Sequence, residues 1–273
     1  MTAPHVPLLE VRDLAKTYTQ RRTFARTQPS VKAFENINLA VQRGVTLAIV
    51  GESGAGKSSL ARCLALLETP SRGDIFFEGH SVLALPQRAS LSLHRQIQFI
   101  FQDPTSALNP RFSAEEIVVE PLLIQRIGTK SQQRERALQL MQLVGLSPDS
   151  ASKRSLEFSG GQRQRLAIAR ALALEPRLLI LDEALSNLDR ANQENILQLL
   201  DDLQAAQSLT YIHVSHDLPL VSRFADEVAV MHSGRIIEHK SAEELFAHPE
   251  HAYTRQLLHS IEPMDAIWLG RSA

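Results

Sequence analysis

Residues 51–58 read Gly51-Glu-Ser-Gly-Ala-Gly-Lys-Ser58, directly after a largely apolar run at 45–50. The stretch fits the phosphate-binding pattern G-x-x-x-x-G-K-[ST]. Each part has a chemical reason. Glycines let the backbone curl so that successive N–H groups point inward at phosphate oxygens. The N-terminus of a following helix adds partial positive charge. Lys57 is expected to reach the β- and γ-phosphates, and Ser58 to ligate Mg²⁺. The candidate cradle is therefore Gly51, Glu52, Ser53, Gly54, Ala55, Gly56, Lys57 and Ser58, with Ser59 beside it. A plain glycine turn is the competing reading. Its context argues against it, because a buried strand precedes the loop and an amphipathic helix follows, with Leu60, Leu64 and Leu67 on one face over residues 57–67.

Working outward, residues 8–18 read as a strand and 33–41 as a half-buried strand with Phe34, Ile37, Leu39 and Val41 inward. Between them, residues 19–30 are polar and carry Arg21, Arg22 and Arg26, which reads as a solvated loop. Residues 74–78 suggest a further strand. From about 106 to 156 the texture becomes helical, with Leu138, Met141 and Val144 at helical spacing in 132–144. Strand and helix signals then alternate. Helices are expected at 162–174 and 192–206, strands at 178–181 and 210–215, and a hairpin at 228–231 and 235–238 with Ser233-Gly234 in its turn. The alternation predicts an α/β core with a mainly parallel sheet.

A second chemical element is Arg177-Leu-Leu-Ile-Leu-Asp182-Glu183. Four apolar residues predict a strand buried on both faces, with two carboxylates at its C-terminal end, where open α/β sheets bind ligands. Asp182 is placed to hold Mg²⁺ directly or through water. Glu183 is placed to act as general base on an attacking water. Alone, the pair reads equally well as an acidic strand end capped by solvent. The phosphate-binding loop tips that balance.

Bulk composition narrows the function classes. The chain has 273 residues, 44% apolar and 22% charged, so a sizeable core is expected. Lys and Arg number 29 against 30 Asp and Glu, which lacks the basic excess of a duplex nucleic-acid binder. The single cysteine, Cys63, leaves no internal disulfide and no Cys-rich metal site. Residues 1–11 do not read as a secretory signal. No stretch reaches the roughly 18 apolar residues of a membrane span. A membrane role would therefore need partner chains.

Phe158-Ser159-Gly160-Gly161-Gln162-Arg-Gln-Arg165 is, physically, a Ser-Gly-Gly turn opening a helix, with Ser159 as its cap. It also resembles the signature motif of ABC transporter ATPases and lies just upstream of the acidic strand, as it does in that family. Phe158 stands where Leu is usual. Further elements follow in the family's order. Gln102, in Phe101-Gln-Asp-Pro104, resembles the Q-loop glutamine that links Mg²⁺ and the attacking water to the helical insertion. His216, in Val214-Ser-His-Asp217, resembles the switch histidine that contacts the γ-phosphate. Ser186-Asn-Leu-Asp189 resembles the D-loop, and Tyr18 stands where the family places a ring against adenine. Ala184-Leu185 replace the family's frequent Pro-Thr.

The resemblance covers about residues 8–258. It implies a P-loop NTPase fold with a RecA-like, mainly parallel core, an antiparallel β subdomain and an inserted helical subdomain. The boundaries it suggests are an ATPase domain at 8–246, with core 8–104 and 163–246 and a helical subdomain near 105–162, followed by a C-terminal extension at 247–273. It implies ATP and Mg²⁺ as cofactors, with Ser58, Gln102 and Asp182 as metal contacts. It implies catalysis by Glu183, His216 and Gln102, with Ser159, Gly160, Gly161, Gln162 and Asp189 in a sandwich of two ATPase domains.

The long Q-loop region at 101–111, the extra loop between Tyr18 and Val31 and the tail at 248–258 resemble ATPases of oligopeptide, dipeptide and nickel importers. That resemblance implies a second ATPase, expected to be a different chain, two transmembrane permease subunits and, indirectly, an extracytoplasmic binding protein. The expected location is peripheral, at the cytoplasmic face of the inner membrane. Peptides are the expected cargo, with nickel or a metal chelate as the alternative. A soluble, non-transport ABC ATPase fits less well, since no coiled-coil arm or second cassette is present. His248 and His251 lack an evident third metal ligand and are expected to pack or cap.

Overall fold

The computed structural model describes residues 6–19, 30–103 and 107–259. Most of the polar 19–30 segment therefore lies outside the described residues, as do residues 104–106 of the Q-loop region. The chain divides into two compact units, Met1–Ser90 with Thr210–Ala273, and Leu91–Leu209.

The first unit holds β1 (Leu9–Tyr18), β2 (Val31–Val41), β3 (Thr46–Val50), α1 (Lys57–Leu64), β4 (Arg72–Phe77) and β5 (His80–Ser81). An antiparallel sheet runs in the order β2-β1-β4-β5. In β2 the four residues expected to face inward, Phe34, Ile37, Leu39 and Val41, are all buried. Ile37, Leu39 and Val41 alternate as in a sheet with one wet face, and an irregularity at Asn36, with φ 52°, brings Phe34 into the same buried set across an odd spacing.

The same unit resumes with β8 (Thr210–Ser215), α7 (Leu218–Phe224), β9 (Glu227–His232), β10 (Arg235–Ser241), α8 (Ala242–Ala247) and α9 (Ala252–His259). Here β3 lies between β8 and β9, parallel to both, and β10 pairs antiparallel with β9. Every residue of β3 is buried, as a doubly covered parallel strand requires. Ala48 and Val50 of β3 and Val228 and Val230 of β9 pack against Leu218, Val221 and Leu245, with Leu257 and Leu258 at the margin. Each fully buried Leu or Val contributes about 1.5–3 kcal/mol. Ser233 and Gly234 in the β9–β10 turn have φ of 47° and 77°, the positive values a two-residue hairpin turn demands.

The second unit holds β6 (Ile97–Ile100) and β7 (Leu178–Asp182), paired in parallel with Ile97 opposite Leu178. Its helices are α3 (Ala114–Ile124), α4 (Lys130–Leu143), α5 (Gly160–Leu172) and α6 (Arg190–Gln207). The remaining helix, α2 (Gln87–Gln96), carries the division between the units. Reciprocal capping boxes start three helices, from Ser113 with Glu116, Thr129 with Gln132, and Ser159 with Gln162. Helices α3, α4 and α5 pack together through buried Ile117, Val118, Ala137, Met141 and Leu166. Arg170 of α5 and Glu120 of α3 add an ion pair at 2.9 Å.

Two sequence expectations need correction. Helix α1 stops at Leu64, because Leu66 turns into the left-handed region at φ 59°. Leu67 is consequently 48% exposed instead of sharing the face of Leu60 and Leu64. On α4 the buried stripe is Ala137, Leu140 and Met141, continued by Val144, with Leu138 only half-buried one position off it. No helix among the described residues is long and apolar enough to cross a membrane.

His213 on β8 is fully buried, edge-on to Phe224, and burial pushes its pKa down from 6.5 to about 4. It stays neutral in the fold while its unfolded counterpart gains a proton. Its contribution is thus present above pH 6.5 and lost as pH falls toward 4. The loss amounts to about 3 kcal/mol at most. His213→Leu should make the pH dependence of chemical denaturation shallower across that window than in wild type.

Candidate functional site: the phosphate-binding loop and the acidic strand end

Strand β3 delivers the chain to Gly51 at φ 149°, with Gly54 and Gly56 following at 84° and 100°. Two of these glycines are dictated by neighbours as well as by conformation. A Cβ on Gly51 would lie 2.1 Å from the Met231 carbonyl oxygen, and one on Gly56 2.3 Å from that of Ala33. The Gly234 amide of the β9–β10 turn donates to the Ala55 carbonyl at 3.1 Å. Lys57 opens α1 and is only 4% exposed. Its ammonium donates to the carbonyls of Gly51 at 2.7 Å and Glu52 at 2.9 Å. Buried ammonium, curled backbone and helix N-terminus thus coincide in one loop, which is an anion-binding arrangement.

Tyr18 ends β1 on the same unit and is 37% exposed. Its hydroxyl donates to Glu68 at 2.6 Å and lies 3.2 Å from Ser59 Oγ. Lys16 pairs with the same Glu68 carboxylate at 3.3 Å and sits 5.1 Å from the Tyr18 ring centroid. Burial, then the bond to Glu68, raises the Tyr18 pKa. The ring is thereby fixed beside the helix that carries Ser58 and Ser59. His216 is exposed just past β8. The next residue, Asp217, caps α7 by accepting from the Leu220 amide at 3.1 Å.

The other expected site residues belong to the second unit. Asp182 ends β7 and is 5% exposed. Glu183 follows in the left-handed region at φ 48°. Its carboxylate accepts from Gln102 Nε2 at 3.0 Å, so two expected site residues 81 positions apart in sequence meet. The Glu183 carbonyl accepts from the Ser186 amide at 3.2 Å and hydroxyl at 2.8 Å. Ala184 and Leu185 are both buried, which accommodates the apolar replacement of Pro-Thr.

Ser159 caps α5, accepting from the Gln162 amide at 3.3 Å, while Gln162 accepts from the Ser159 amide at 2.9 Å. Phe158 is buried, so its departure from Leu is a packed apolar swap. Gly161 faces Asn192, whose Oδ1 would lie 2.8 Å from an added Cβ. Asn192 in turn donates its amide and side chain to Asp189 at 3.0 and 2.6 Å. These bonds, the amide's first, lower the Asp189 pKa. The signature turn and Asp189 thus share one connecting residue, which the sequence reading did not single out. The D-x-x-N spacing of a helix cap could have found it. His251 does cap, its Nδ1 accepting from the Tyr253 amide at 3.1 Å.

A buried parallel strand running into a glycine-lysine phosphate loop, with an acid pair ending another parallel strand, defines the class of P-loop NTPases. Residues 34–186 match the ABC transporter family, and the chain belongs to it. The dipeptide transport ATP-binding protein DppF of Escherichia coli is 42% identical over 252 residues, which span 92% of this chain and 75% of that protein. DppF of Haemophilus influenzae is 40% identical over 254 residues, 93% of this chain and 78% of its own. The dimeric post-hydrolysis structure of the ATP-binding cassette MJ0796, bound to ADP and Pi, aligns with a TM-score of 0.76 at 28% identity, covering 86% of this chain and 98% of that one. The chain is an ATP-hydrolysing cassette.

Gly56→Ala forces a side chain into the Ala33 carbonyl at a left-handed position. It is expected to abolish ATP binding in equilibrium titration while far-UV circular dichroism stays near wild type.

Proposed function

We propose that this chain is the ATP-hydrolysing subunit of an importer for di- and oligopeptides. It works peripherally at the cytoplasmic face of the inner membrane, with a second ATPase and two permease subunits. An extracytoplasmic binding protein delivers the cargo. The peptide assignment is supported by the dipeptide transport proteins to which the chain is 40–42% identical. The observation that carries the hydrolytic reading is the 3.0 Å contact between Gln102 and Glu183 beside the buried Asp182.

The residues fit ATP and Mg²⁺. The loop excludes Cβ atoms where a phosphate cradle needs bare backbone, and Lys57 presents its ammonium there. Ser58, Gln102 and Asp182 supply the hard oxygen donors that Mg²⁺ prefers, and the ion, when bound, offsets charge on the β- and γ-phosphates. Residues 51–59 hold the triphosphate, and Tyr18 faces the adenine. Glu183 accepts a proton from the water that attacks the γ-phosphorus; the bond from that phosphorus to the β–γ bridging oxygen breaks, releasing ADP and phosphate. Gln102 orients the water. His216 contacts the γ-phosphate. Ser159 to Gln162 and Asp189 complete the nucleotide sandwich with the second ATPase. ATP binds the closed pair better than the open one, and that difference drives the helical segment near 105–162 against the permeases.

Glu183→Gln should lower ATP turnover about 10²–10³-fold and keep nucleotide binding. Near-normal turnover would remove Glu183 as base. In a strain deleted for this chain, wild type should restore uptake of a labelled dipeptide and Glu183→Gln should not. Restoration of nickel uptake with dipeptide uptake unaffected would overturn the peptide assignment.

A further inference from the structure

The tail helix α9 reaches the phosphate-binding loop. Tyr253 Oη accepts the Glu52 backbone amide at 3.1 Å, across 201 positions of sequence. That amide shares a peptide group with the Gly51 carbonyl, which accepts from the Lys57 ammonium at 2.7 Å. One peptide plane is therefore held from both sides, by Lys57 at its oxygen and Tyr253 at its nitrogen. Donation by the N–H also polarises the carbonyl and strengthens its hold on the cation. Gly51 has no Cβ to resist rotation of this peptide, so external bonds must set its orientation.

Tyr253 is itself firmly placed. Its ring lies against His232, tilted by 37° with centroids 4.0 Å apart, and His232 follows Met231, whose carbonyl crowds Gly51. The buried Glu238 carboxylate accepts the amides of Glu250 at 2.8 Å and His251 at 3.1 Å, anchoring the start of α9. Leu257 and Leu258 pack on the cluster that includes Val50, the residue before Gly51.

We propose that Tyr253 is a positioning residue for the phosphate-binding loop, fixing the Gly51–Glu52 peptide and through it the Lys57 ammonium. The C-terminal helix thereby forms part of the nucleotide machinery. The inference rests on the ATP-binding reading of that loop.

The test is calorimetric titration of the full-length chain with Mg-ATP, alongside thermal melting. Wild type and Lys57→Ala establish that binding depends on the loop. Tyr253→Phe keeps the ring and its contact with His232 but removes the acceptor. Its Kd for ATP is expected to rise about 3- to 10-fold, the effect of one lost hydrogen bond. Leu257→Ala loosens the same helix without touching the loop and serves as the stability comparison. A larger affinity loss in Tyr253→Phe than in Leu257→Ala, compared at equal distance below their melting midpoints, supports the proposal. Equal losses, or an unchanged Kd in Tyr253→Phe while wild type binds and Lys57→Ala does not, overturn it alone. Failure of wild type to bind, or binding unaffected by Lys57→Ala, would overturn the loop reading and this inference with it.

Discussion

The ammonium of Lys57 is the constraint around which the first unit is arranged. A charge at 4% exposure is costly unless hydrogen bonds replace its water. The carbonyls of Gly51 and Glu52 supply those bonds, and they can do so only because the loop curls back over the helix start. That curl leaves no room for Cβ atoms at positions 51 and 56, where the carbonyls of Met231 and Ala33 approach. Met231 belongs to β9 and Ala33 to β2. The hairpin turn adds the bond from Gly234 to Ala55. Strands from both sheets of the unit therefore shape the loop, and the glycine pattern records their positions.

Glu183 raises a different problem in the second unit. A left-handed glutamate costs on the order of 1–3 kcal/mol. Its backbone is held by two bonds from Ser186 to its carbonyl and by burial of Ala184 and Leu185 behind it. The left-handed turn falls immediately after β7, which ends at the buried Asp182. Two adjacent acids thus receive different surroundings, one buried at 5% exposure and one half-buried against Gln102. Such a division is compatible with the roles proposed for them, metal binding at Asp182 and proton transfer at Glu183.

What could be read in advance follows from how local its cause is. The phosphate loop, the buried strand at 178–181 and the alternation in β2 depend on neighbours within a few residues, and each is legible. The caps at Ser113, Thr129 and Ser159 are equally local, since acceptor and amide stand three positions apart. The choice between Leu138 and Leu140 on α4 is not local. Both suit a helical stripe, and only the packing of α3 and α5 selects Leu140. The end of α1 depends on Leu66 accepting a left-handed conformation, which no leucine advertises. The bond from Glu52 to Tyr253 crosses most of the chain and leaves no trace in spacing.

The signature turn shows how one residue can serve both fold and ligand. Ser159 uses one of its two hydroxyl lone pairs on the Gln162 amide, and the hydroxyl keeps its proton to donate. Capping α5 and facing a phosphate of the proposed sandwich are therefore compatible roles. The two following glycines differ in the same respect. Gly161 must lack a side chain because Asn192 stands where its Cβ would be. Apart from its chain neighbours and the backbone of its own helix turn, no described atom comes within 4 Å of a Cβ on Gly160. The fold of this chain sets no demand there, so a requirement for glycine at 160 would have to come from what approaches that open face. In the proposed sandwich, the approaching group is a nucleotide held by the second ATPase.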